Sequence, residues 1–70
     1  MANNVASERV RMGYTQKELA DELEVSESSV YRWEAEGVFP SGTVLIKMHR
    51  LFGCSTDYLL GVSDERKTVA

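Results

Sequence analysis

Residues that start helices and residues that stop them alternate along this chain at short intervals. Thr15, Ser26, Ser41 and Ser55 each stand just before a stretch whose apolar residues recur at helical spacing. A side-chain oxygen there accepts from a backbone N–H that the new helix leaves without a partner. Gly13, Gly37, Gly53 and Gly61 stand where such stretches end, the place for a left-handed closing residue. Thr15 is followed three residues later by Glu18, so the second stretch opens with a capping box. No segment alternates apolar and polar residues for long enough to make a strand. With 70 residues there is room for one core. The pattern therefore predicts an all-α domain of five short helices.

The first helix is expected from about Asn4 to Met12, with Val5, Val10 and Met12 inward. The second spans about Gln16 to Leu23 and buries Leu19, Ala20 and Leu23. The third runs from about Glu27 to Glu34 or slightly beyond, with Val30 and Trp33 inward. After the loop Val38-Phe39-Pro40-Ser41-Gly42, a fourth helix covers about Thr43 to Phe52. Its Leu45, Met48 and Phe52 face the core, and Lys47 and Arg50 face solvent. Ser55 starts a short fifth helix through Leu60. The domain is thus placed at residues 1–62. The polar residues 63–70 show no periodicity and are expected to form a flexible tail.

Several function classes are excluded by what the sequence lacks. No apolar run approaches the ~20 residues that span a bilayer. Met1-Ala2-Asn3-Asn4 does not open a secretion signal. The single cysteine, Cys54, and the single histidine, His49, give no metal-ligand spacing, so no metal or cofactor is expected. Cys54 reads as a small buried hydrophobe in a reducing cytoplasm. Ser41 and Ser55 have no His/Asp partners at usable spacing, and Asp57 suits the first turn of a helix as a dipole partner. Catalysis is not expected.

The second and third helices are joined by only three or four residues, a helix-turn-helix arrangement in which the outer helix protrudes. A helix about 10–12 Å across fits the major groove of B-DNA. On the third helix, Glu27, Ser28, Tyr31 and Arg32 share one polar face opposite Val30 and Trp33. Trp33 is read as core, not as a wedge between bases.

The ordered string Thr15-Gln16-Lys17-Glu18-Leu19-Ala20, Val25-Ser26, Ser29-Val30, Trp33-Glu34 resembles the phage repressor and Cro (XRE-like) family. Pro40-Ser41, Leu45-Ile46-Lys47, Phe52-Gly53 and Ser55-x-Asp57-Tyr58-Leu59-Leu60-Gly61 extend the likeness, which covers about Val5 to Gly61. The resemblance implies a compact five-helix bundle of the lambda-repressor-like type. It also implies binding to a double-stranded DNA operator as a homodimer, and a repressor's role in transcription. Base contacts are then expected from Glu27, Ser28 and Arg32, and backbone contacts from Gln16, Lys17, Ser29 and Tyr31. Arg9 and Glu34 match a structural ion pair. Arg suits guanine O6 and N7, and Glu can accept from cytosine N4.

Two departures stand against this reading. Glu24 occupies the turn position where the family usually has glycine, and the loop after the third helix lacks the family's basic residues. The charge is also unfavourable. The chain carries a net −3, and residues 15–36 hold seven acids against two bases. Phosphate contacts supply most non-specific affinity, so random DNA should bind poorly. A second reading follows: a protein-interaction module, such as an antirepressor or antitoxin-like partner, using apolar residues around Val38, Phe39, Leu59 and Val62. A third is that the chain is the amino-terminal domain of a longer repressor, with residues 63–67 as the start of a linker.

Overall fold

The computed structural model describes residues 3–66. Among them are five helices and no strand: α1 (Val5–Met12), α2 (Gln16–Leu23), α3 (Glu27–Ala35), α4 (Gly42–Phe52) and α5 (Thr56–Leu60). Each start signal acts as its chemistry requires. Thr15 Oγ accepts from the Glu18 N–H at 3.1 Å while Glu18 Oε1 accepts from the Thr15 N–H at 2.8 Å, which completes the capping box. Ser26, Ser41 and Ser55 accept in the same way from the N–H three residues on. Gly13, Gly53 and Gly61 are left-handed C-caps. α3 ends on Ala35, one residue past Glu34, and Gly37 follows its cap with φ +68°.

The core is drawn from every helix and one loop: Val5, Leu19, Ala20, Leu23, Val30, Trp33, Met48, Phe52, Cys54 and Leu59. Each large side chain in this set stabilises the fold by about 1.5–3 kcal/mol relative to exposure. Leu45 is only partly buried and packs at the margin. Leu59, assigned above to an exposed apolar surface, is completely buried. It is the one fully buried side chain of this short helix, and the partly buried Tyr58 packs against the core beside it.

α1 departs most from expectation. Val10 is 65% exposed and Met12 40% exposed, whereas Glu8 is buried beside Val5. Val5 and Glu8 are three residues apart and share a face; Val10, five residues from Val5, lies on the far side. A carboxylate can hold an inward position only when its charge is met. Arg66 meets it through two bonds of 2.7 and 2.8 Å, and Arg11 adds a third at 3.2 Å. The Arg66 hydrogen bonds are the main cause that holds the Glu8 carboxyl below its ordinary 4.5, although burial pushes it up.

The ends of the described segment are tied down. The Asn3 side chain donates to the Trp33 carbonyl at 2.9 Å, and that of Asn4 to the Tyr58 carbonyl at 2.7 Å. Of the segment expected to be a flexible tail, residues 63–66 are described and end on the Glu8 contact, and residues 67–70 lie outside the described residues. No helix among the described residues is long and apolar enough to cross a membrane.

Candidate nucleic-acid interface

α2 and α3 are joined by a turn whose shape rests on one unusual residue. Glu24 adopts φ 59° and ψ 44°, a left-handed conformation that costs a non-glycine residue about 1 kcal/mol. Its N–H still closes α2, and the Val25 N–H donates to the Ala20 carbonyl at 3.0 Å. Lys47 reaches across from α4 and donates to the Leu23 carbonyl and to Glu24 Oε1, each at 3.4 Å. A cation at the C-terminal end of α2 complements both the free carbonyls and the acidic turn residue. Lys47 was expected to face solvent; the structure brings it half-buried onto the turn.

α3 is anchored by Val30 and Trp33, which are 0% and 6% exposed. The other face presents Glu27, Ser28, Tyr31 and Arg32, all exposed to solvent. Glu27, Tyr31 and Arg32 make no side-chain hydrogen bond with any described residue. Ser28 differs slightly, its Oγ lying 3.1 Å from Ser26 Oγ at the start of the helix. Ser29 is partly buried and its Oγ lies 3.0 Å from the same Ser26 hydroxyl, so it is the least free of the polar residues on this turn. Lys17, on the first turn of α2, is well exposed and 3.5 Å from Asp21.

Behind this face lies a closed polar network. Arg9 of α1 donates to Glu34 of α3 through Nε at 2.7 Å and Nη2 at 3.0 Å, and through Nη1 to the Tyr14 carbonyl at 2.8 Å. The Glu34 hydrogen bonds raise the Arg9 pKa further above its ordinary value. Gln16, at the first position of α2, donates Nε2 to Glu34 Oε1 at 3.0 Å. One carboxylate thus joins three helices and sets the Gln16 amide at the N-terminus of α2. One amide hydrogen of Gln16 is used, and the other is free.

The geometry divides the acidity of residues 15–36 between paired and unpaired carboxylates. Glu18 is occupied by its capping box, Asp21 by Lys17, Glu24 by Lys47 and Glu34 by Arg9 and Gln16. Glu22 accepts from the Tyr14 hydroxyl at 3.4 Å. Glu27 and Glu36 are left without a described partner, and only Glu27 belongs to the exposed row. Sequence reasoning missed Asn3, Lys47 and Arg66 as contributors to this frame. Each acts over a long sequence separation and leaves no periodic trace.

His49 Nδ1 lies 2.6 Å from the Cys54 carbonyl. A carbonyl only accepts, so Nδ1 carries the proton and the ring serves to fix the turn before α5. Cys54 is buried, and burial pushes its thiol above the ordinary value. No cluster of His, Cys, Asp or Glu suited to a metal occurs among the described residues.

Comparison with known proteins matches the family model described as helix-turn-helix over residues 5–59. The chain is also 37% identical over 59 residues to the HTH-type transcriptional regulator ImmR of Bacillus subtilis (strain 168), a match that covers 84% of this chain and 46% of that protein. The chain therefore spans about half the length of the curated relative it matches.

Proposed function

The chain belongs to the helix-turn-helix family, of the phage repressor type, and from that premise we propose that it is a sequence-specific DNA-binding regulator domain that acts as a repressor. One observation carries this reading: α3 offers Glu27, Tyr31 and Arg32 together, exposed and unbonded, from a helix pinned at its back by Val30 and Trp33. Unpaired polar side chains in a row on an exposed helix face are suited to base edges in the major groove. Arg32, Glu27 and Ser28 supply the base contacts. Gln16, Lys17, Ser29 and Tyr31 supply backbone contacts, with the free amide hydrogen of Gln16 and the α2 N-terminus directed to a phosphate. Operators are read by a homodimer with half-sites about one helical turn apart.

Selection of bound sequences from a random DNA pool at low salt tests this. Enrichment of a paired half-site, lost in Arg32→Ala, supports it; no enrichment of any sequence would sink it.

The acidity of residues 15–36, together with the half-exposed Val38 and Phe39 beside the end of α3, favours a second reading as a protein-interaction module of antirepressor or antitoxin type. It predicts that Arg32→Ala leaves partner binding intact while Phe39→Ser abolishes it.

A further inference from the structure

The buried acid of α1 and the last described residue form a site that DNA recognition does not use. Glu8 has a side-chain exposure of 2%, and every polar bond to its carboxylate comes from Arg66 or Arg11. Arg66 Nη2 also donates to the Phe52 carbonyl at 2.8 Å, where Arg11 Nη2 adds a longer bond at 3.3 Å. Phe52 closes α4, so its carbonyl is one of the acceptors a helix end leaves without a partner. The approach is shaped locally: the Val62 N–H returns to the Asp57 carbonyl at 3.0 Å, and Ser63 Oγ accepts from the Glu65 N–H at 3.1 Å. The chain after α5 therefore doubles back, and its last described residue, Arg66, lies against α1 and α4.

We infer that residues 63–66 are a strap that locks the domain shut, with Arg66 as its key. With Arg66 in place, the buried charge and the end of α4 are both satisfied. With Arg66 withdrawn, Glu8 keeps only the single bond from Arg11, which is half exposed. A buried carboxylate stripped of its main partner destabilises the fold. The folding unit accordingly runs to residue 66, past the end of the family match at 59. Arg66 rests on α1 and α4, which supply none of the proposed base contacts. Whatever withdraws Arg66 from Glu8 lowers the stability of the domain without touching the α3 face.

The unaltered chain and three variants decide the matter. In urea unfolding, Arg66→Gln lowers the folding constant by roughly tenfold or more, and the loss shrinks when Glu8→Gln is already present. Tryptic cleavage after Arg66 in the unaltered chain is at least about tenfold slower than in a free peptide of residues 60–70, because the strap must open first. That second measurement needs no variant to fold. Equal unfolding midpoints for Arg66→Gln and the parent, strict additivity of Arg66→Gln and Glu8→Gln, or cleavage at the peptide's rate would each overturn the strap.

Discussion

The charges of α1 and those of α3 lie in the same small domain and are treated in opposite ways. On α1, Glu8 and Arg9 are drawn inward and matched atom for atom, Glu8 by Arg66 and Arg11, Arg9 by Glu34 and the Tyr14 carbonyl. On α3, Glu27 and Arg32 stand in solvent with no described partner. A domain of this size has little surplus stability, so a charge it uses for architecture has to be paired. A charge left unpaired on a rigid helix costs nothing to present and can be given to another molecule. Glu34 sits on the boundary between the two: it rises from α3 but is consumed by the frame.

This contrast predicts that frame and face fail in different assays. The largest effect belongs to Glu34→Ala, which strands the mostly buried Arg9 and releases Gln16. Stability should fall by about 3–5 kcal/mol in chemical denaturation, with DNA binding lost through unfolding. Next comes Arg32→Ala, expected to cost about 1–3 kcal/mol at a selected site and to relax preference at one base position. Its unfolding midpoint should stay with the parent; a parallel fall in stability would erase the distinction between frame and face.

A change of about 1 kcal/mol, of favourable sign, is expected from Glu24→Gly, since glycine accepts the left-handed turn without strain. Thermal unfolding checks it, and a loss of stability would mean that the Lys47 contact outweighs the backbone strain. Lys17→Ala is the smallest. It should leave stability within about 0.5 kcal/mol, weaken all DNA sequences alike, and reduce the salt slope by about one phosphate contact.

Acid probes the Glu8 site of the frame. The folded-state pKa of Glu8 lies below its ordinary 4.5, so its contribution to stability is complete above that value and is lost as pH falls through the lowered one. A stability profile across this acidic range should flatten in Glu8→Gln.

Much of the architecture was legible because it is encoded locally. A capping serine acts on an N–H three residues away, and an i, i+3 pair such as Val30 and Trp33 declares its face without help from the rest of the chain. The exposed row of α3 was legible for the same reason, since Glu27, Ser28, Tyr31 and Arg32 are set by helical spacing once Val30 and Trp33 are inward. Where the inward face carried an acid, the rule failed. Apolar periodicity chose Val10 and Met12 for α1, while the structure buries Glu8, because a distant arginine made that burial possible.

Taken alone, the sequence determined the five helices, the N-caps of α2 to α5, the core face of α2, α3 and α4, and which polar residues share the outer face of α3. These follow from interactions within a turn or two of helix. Tertiary structure alone decided that Glu8 lies inside, that Lys47 supports the turn at Glu24, that Gln16 is set by Glu34, and that Arg66 returns to α1. Each joins residues at least 18 positions apart, a separation at which no periodicity survives and only the packed chain brings the charges together.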